Sequence, residues 1–468
     1  MESPAAQMDS GHVPVFFDLN MNFDLLGDEW LAFPQASIEA PGPELINRQD
    51  DIVSPSPQES TVVIGLEDNG LIQHYLNVMT QYTKIRSSGD ENIYTQIFSN
   101  MALFYAPLYN AIMAWTALHL GQTRVEPDLV RKAEQRYSHA ISLMHQDQEV
   151  AHHFELSLVT IWFALQFELL AARGIDSFFR HLEFTADLVD AHRRHQKAGG
   201  AAAPLGPIGS RILIWLGTYD ARAAWIGGAG RLLQNLELFC SDYDFIGAAF
   251  PDVQPGADPS DLKSCLRLTF DIDSLDNRIA QLNNRTVSAP IAVLLTVQSD
   301  LLSLQERLER APAFAPVLTS IFRPTRGLSG KVTTRMFNDL LLLSACYSLI
   351  ISFHRMLPAA VEANMPGKLM SAEAAAARIL RIASWVYRLR PPSPQNIWPR
   401  ILFLAGSETT DLVYQDWVTK TLTEAERWGG NFSKTRLLLE HVIQKQSQGG
   451  VRVDYLDAMR QSTGLFII

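Results

Sequence analysis

Residues 397–408 read Ile397-Trp398-Pro399-Arg400-Ile401-Leu402-Phe403-Leu404-Ala405-Gly406-Ser407-Glu408, with Asp411 and Asp416-Trp417 close behind. Pro399 suits the first turn of a helix, where a missing N–H leaves no bond unmade. Gly406 suits a chain that leaves that helix and reverses direction. A second helix is then expected from Ser407. Its hydroxyl would cap the free N–H groups, while Glu408 and Asp411 place negative charge at the positive end of the helix dipole. Nothing in the stretch is a catalytic constellation, and two packed helices account for its proline, glycine, caps and aromatics.

The same helical character extends outward from about residue 61. Leu71, Ile72, Tyr75, Leu76, Met79 and Tyr82 make one stripe, and Leu108, Ala111, Ile112, Trp115 and Leu118 another; each reads as an amphipathic surface helix. Residues 154–172 and 336–354 are apolar nearly all round, which predicts central helices packed on several sides. Further periodic segments cover about 178–192, 211–236, 262–285, 291–310, 371–389, 409–428 and 434–446. The breaks at 198–209, 246–260, 311–330 and 391–394 are rich in Gly, Pro and Ala. They read as loops and not as domain boundaries, because helices of the same kind continue on both sides. Strand-like alternation is scarce and no repeat of fixed period is present, so the expected fold is all-α, an irregular multi-helix bundle over residues 61–468.

A chain of 468 residues, 47% hydrophobic and 19% charged, has the composition of a soluble intracellular protein with a substantial core. Cys240, Cys265 and Cys346 match no paired metal spacing and no disulfide framework, and read as buried reduced thiols. No Lys or Arg precedes Arg48, so the N-terminus lacks the basic start of a secretory or mitochondrial signal. The longest uncharged run near the centre, Leu340–Phe353, has 14 residues. A membrane span needs about 20, so no membrane partner is expected.

Net charge is −11, and residues 1–47 hold eight acids and no Lys or Arg, leaving the rest of the chain close to neutral. Neither part has the basic field that unaided DNA binding requires. Residues 1–60, with Pro4, Pro14, Pro34, Pro41, Pro43, Pro55 and Pro57 among Ser and acids, read as a disordered acidic arm. Within it, Val15–Phe33 alternates bulky apolar residues with acids, the composition of an amphipathic activation segment. Two readings stay open for Phe16, Phe17, Phe23, Leu25, Leu26 and Trp30. They fold as a short helix into the groove of a coactivator, or they dock back onto the body.

Several small motifs carry residue types that chemistry uses. Asp271-Ile272-Asp273-Ser274-Leu275-Asp276 has paired aspartates of the kind that hold magnesium on all-α prenyl-diphosphate enzymes, but Asn338-Asp339 is followed by leucines that offer no ligand to a hard cation. Asp271 and Asp273 are therefore read as acids at a helix start. His152-His153 diverge by about 100° around a helix and do not chelate together. Gly227-Gly228-Ala229-Gly230 lacks the strand and the Gly-Lys-Ser/Thr of a phosphate loop and reads as a turn. His192-Arg193-Arg194-His195 with Lys197 reads as a solvated helix C-terminus. No catalytic residue and no metal ligand is identified.

The 397–417 stretch resembles the C-terminal region of the fungal-specific transcription factor domain, the helical regulatory body of Zn2Cys6 zinc-cluster transcription factors. Leu71–Leu76, Tyr105–Leu108, Ala111–Leu120 and Arg211–Asp220 with the small-residue turn Ile226–Gly230 resemble its earlier helices in order and spacing. Val453-Asp454-Tyr455 and Gly464–Ile468 resemble its ending. The resemblance implies a nuclear regulator of metabolic or biosynthetic genes and no enzyme. Its partners would be the transcription machinery or a coactivator, and a second copy or a DNA-binding chain with which it dimerises. The family's zinc cluster needs six cysteines, so no zinc cofactor and no direct DNA reading are expected of this sequence. A DNA reader would come from a partner chain or an upstream exon. The rival readings are an all-α interaction scaffold with no transcriptional role and an all-α enzyme.

Overall fold

The computed structural model describes residues 62, 64–82, 92–147, 153–198, 205–242, 244–249, 262–284, 289–310, 318, 321–322, 334–362, 364–365, 369–394 and 396–468. The activation-segment residues Phe16, Phe17, Phe23, Leu25, Leu26 and Trp30, with His152 of the histidine pair, lie outside them. Among the described residues there are helices and no strands. The first half of the body comprises α1 (Asn69–Asn77), α2 (Ile93–Asn100), α3 (Ala106–Arg124), α4 (Pro127–Gln146), α5 (Phe154–Ala171), α6 (Asp176–Lys197), α7 (Pro207–Ala224), α8 (Arg231–Asp242) and α9 (Phe245–Ala248). The second half comprises α10 (Leu262–Asn283), α11 (Ile291–Glu309), α12 (Thr334–Met356), α13 (Ala359–Glu362), α14 (Ala372–Leu389), α15 (Pro399–Glu408), α16 (Leu412–Ala425), α17 (Gly430–Gly449) and α18 (Tyr455–Gln461).

Packing runs in a circuit. α3 lies against α4 and α5, α5 against α7, α7 against α10, and α10 against α12. From there α12 contacts α14 and α15, α15 contacts α17, and α17 returns to α5. Near the start of the circuit Trp115, Tyr94 and Phe163 meet with ring centroids 5.3 to 5.9 Å apart. The polar atoms buried with them are satisfied: Tyr75 Oη donates to the Tyr94 carbonyl at 2.9 Å, and Trp162 Nε1 donates to Tyr94 Oη at 3.2 Å. Trp162 then faces Trp215 and Tyr219 of α7, with centroids 5.3 and 5.2 Å away.

As expected, α5 and α12 are central helices. Both are long and apolar enough to cross a membrane, yet 67% and 72% of their apolar windows are buried in the body, which marks them as core. The second stripe is no surface helix: every residue of α3 from Ala111 to Gly121 is buried. The residues between the apolar ones, Ala114, Thr116, Ala117 and Gly121, are small enough for neighbours to close on that face too. α4, absent from the sequence reading, covers it. The helix is polar on the whole, but Leu129, Val130, Ala133, Tyr137, Ala140, Ile141 and Met144 recur at helical spacing and face the core, a period that was there to be read in the sequence.

The opening stretch is partly corrected. Pro399 occupies the first turn of α15, but the helix continues through Gly406 and Ser407 to Glu408. A Cβ on Gly406 would lie 3.2 Å from Val418 and 3.4 Å from Leu439, so this glycine lets α16 and α17 approach and does not end the helix. Ser407 Oγ donates to the Leu404 carbonyl at 3.0 Å and caps nothing. Asp411 is the cap of α16, accepting from the Val413 N–H at 2.9 Å. The segment 211–236 is likewise two helices, parted by the turn at Trp225–Gly230, where Gly227 and Gly230 have φ of 103° and 62°.

Candidate functional site

The aspartates of 271–276 stand in the middle of α10 and not at a helix start. Asp273, Asp276, Asn277, Gln281 and Asn284 recur at helical spacing and so share one face. That face grips the end of α7. Thr218 Oγ1 donates to Asp273 at 2.6 Å, Trp225 Nε1 to Asp276 at 2.7 Å, and Asn284 Nδ2 to the Ala224 carbonyl at 2.6 Å. Asn277 and Gln281 donate to the carbonyls of Gly230 and Ala229 at 3.0 and 2.8 Å. The glycine-rich turn is thus held by hydrogen bonds from α10, and its last glycine passes so close that a Cβ would sit 2.0 Å from Asn277 Oδ1.

Beside this clasp is a cavity of about 240 Å³. α7 and its turn contribute Arg222, Trp225 and Ile226; α12 contributes Ser352, Arg355 and Met356; α15 contributes Arg400, Phe403 and Leu404. α10 contributes Asn283, and the remaining wall is Arg452–Leu456, Met459, Phe466 and Ile468. Four arginines therefore converge from parts of the chain more than 200 residues apart.

Their partners differ. Arg400 makes a two-pronged pair with Asp276, one prong at 2.9 Å. Arg355 pairs with Glu408, donates to the Val453 carbonyl and lies 3.7 Å over the Tyr455 ring, a cation–π contact. Arg452 reaches Glu408 at 3.3 Å and Glu362 at 3.4 Å. Arg222 is half-buried and, among the described residues, forms no hydrogen bond and no ion pair. Its guanidinium lies 5.8 Å from the Tyr219 ring.

Burial sets the titration of this neighbourhood. It pushes the Asp273 carboxyl up to about 7, against the opposing Thr218 hydrogen bond and the pull of Arg222. It also pushes Tyr455 up to about 12. Burial lowers Arg222 as well, with Tyr219, Asp273 and Asp276 acting in the other direction. Ser407 Oγ and Tyr455 Oη hydrogen-bond to each other, tying α15 to the start of α18. Asp454 is the cap of α18, accepting from the Asp457 N–H at 2.9 Å.

The other weighed motifs stay structural. His153 Nδ1 bonds Asp147 at 2.8 Å. His192 is buried and stacked on Phe154 at 4.0 Å, so only the residues after it form the solvated end of α6. Among the described residues no group of three or more His, Cys, Asp or Glu side chains could hold a metal ion. Sequence reading missed the four arginines because each stands alone in the chain. Arg400 lay inside the opening stretch, read there as architecture only.

Residues 70–195 match the fungal specific transcription factor domain family. No curated protein and no solved structure matches the chain. The domain match spans α1 to α6 and ends before α7, so the cavity walls lie beyond it. The likeness is to a transcription factor domain and covers about a quarter of the chain. A binuclear zinc cluster is not accommodated by the cysteines present. There are three, Cys240, Cys265 and Cys346, and among the described residues they join no group of side chains that could hold a metal ion.

Proposed function

We propose that this chain is a nuclear regulator of metabolic or biosynthetic genes whose helical body responds to a small effector, with residues 1–60 contacting the transcription machinery. The observation that carries the reading is the match of residues 70–195 to the fungal specific transcription factor domain. Two others support it. The acidic N-terminal charge suits an activation segment, and the cavity walled by α7, α12, α15 and residues 452–468 suits a small molecule that would bias one arrangement of the body over another. DNA contact is assigned to a partner chain that dimerises with this one or to a cluster encoded upstream, because the three cysteines of this sequence supply none.

The test is a tethering assay. The full chain and residues 1–60 are each fused to a heterologous DNA-binding domain and placed over a reporter. Both are expected to activate, and replacing Phe16, Phe17, Phe23, Leu25, Leu26 and Trp30 by alanine is expected to abolish it. A silent arm removes the activation claim. A chain that stays out of the nucleus under every growth condition favours the scaffold reading.

A further inference from the structure

We propose that the cavity beside α7 binds an organic anion, a carboxylate or phosphate ester on an apolar skeleton, whose acid group pairs with Arg222. The proposal rests on the effector reading above and names the class of ligand.

Charge is arranged in two layers. Arg222, Arg355, Arg400 and Arg452 form the wall, whereas the carboxylates that pair with three of them, Asp276, Glu408 and Glu362, do not line the cavity. Asp276 and Glu408 are only 2% and 5% exposed, so they sit behind their guanidiniums. The single acid in the wall, Asp454, has its carboxylate engaged in capping α18. A molecule in the cavity therefore meets donors first.

Arg222 is the unmet one. A guanidinium carries five N–H donors in a planar fork matched to carboxylate and phosphate. Asp273 and Asp276 act on Arg222 only through longer-range attraction. Asp273 carries a reduced negative charge near neutral pH, since burial favours its protonated form. A half-buried cation without a direct partner is a costly arrangement that an incoming anion relieves.

The rest of the wall decides against a bare inorganic ion. Phe403, Leu404, Leu456, Met459 and Phe466 present carbon to the same space. An inorganic anion leaves that surface wet, and a neutral hydrocarbon leaves Arg222 unpaired. An amphipathic acid satisfies both, and a volume of about 240 Å³ limits it to the size of a small metabolite. Bound there, it would join residues 452–459 to α7 and α12.

The experiment is isothermal titration calorimetry on the full chain with octanoate, octyl phosphate, 1-octanol and inorganic phosphate. Octanoate or octyl phosphate is expected to fill one site, and the stronger of the two identifies the acid group. 1-Octanol and inorganic phosphate should bind at least about tenfold more weakly, the loss of a charge-assisted hydrogen bond or of the apolar contact. Arg222→Met should weaken the acids by at least about tenfold. Arg222→Lys, which keeps the charge, should retain part of the affinity, and it decides the matter should the methionine variant fold poorly. The proposal is overturned if 1-octanol binds as well as octanoate, if neither acid binds, or if the Arg222 variants bind unchanged. Calorimetry on isolated protein is blind to transcription, so a failure here leaves the tethering result standing, and the reverse holds too.

Discussion

Replacing Asp276 by alanine removes one carboxylate and with it three hydrogen bonds: two from Arg400 and one from Trp225. The Asp276 side chain is 2% exposed and that of Arg400 17% exposed, so the pair is screened poorly by water and its loss is felt. Breaking a buried ion pair from one side costs about 3–5 kcal/mol, mostly because the surviving charge is left without a partner. Arg400 keeps some contact with the cavity, which places the expected loss near the lower end, at about 3 kcal/mol. The double replacement Asp276→Leu with Arg400→Met leaves no orphaned charge. It is expected to recover most of that loss, because apolar substitutes for a buried pair are often neutral to stabilising. Urea unfolding at pH 7.5, followed by far-ultraviolet circular dichroism, gives each free energy by linear extrapolation, and the parent, Asp276→Leu, Arg400→Met and the double variant close a double-mutant cycle. A single-variant loss below about 1 kcal/mol, or a double variant as unstable as the sum of its parts, would refute the claim that this pair is a coupled, buried unit.

Three further outcomes are expected. Asp273 holds its proton up to about pH 7 in the folded state, facing Arg222, Arg400 and Asp276, while the unfolded chain releases it near the ordinary aspartate value. Stability from this group is therefore full below pH 4 and lost as pH rises towards 7. Asp273→Asn should remove a slope of up to about 1.4 kcal/mol per pH unit, seen as a gain over the parent in urea midpoints at pH 7.5 relative to pH 5. Gly230→Ala forces a Cβ onto Asn277 at a φ of 62°, and should cost about 1–3 kcal/mol in the same assay. Asp411→Ala should cost about 1 kcal/mol through the lost cap of α16, and an unchanged midpoint would show that another group satisfies those N–H donors.

The helical class and the two core helices were legible because a run apolar on every side, as in α5 and α12, is stably placed where neighbours cover it all round. Gly406 shows where local reading stops. A glycine near a helix end serves equally as a terminator or as a point of close helix contact, and only the positions of Val418 and Leu439 decide which. The aspartates of α10 show the same limit from the polar side. Their spacing put them on one face, yet their partners on α7 and α15 lie as far as 124 residues away in sequence. The cavity was least legible of all, since its four arginines share no local pattern and are brought together only when α7, α12, α15 and the segment before α18 pack.

The closed circuit of helices has a consequence for how this protein can be divided. Residues 70–195, the stretch that matches the family model, do not close on themselves. Its Trp162 is covered by Trp215 and Tyr219 of α7, and the far end of α5 is met by the start of α17, where a Cβ on Gly430 would lie 3.1 Å from the Leu170 carbonyl. A fragment cut at residue 195 exposes both surfaces. A graft of this segment into another helical body therefore keeps its core covered only when α7 and α17 travel with it, so the boundary of a transplantable piece lies well beyond the boundary of the match.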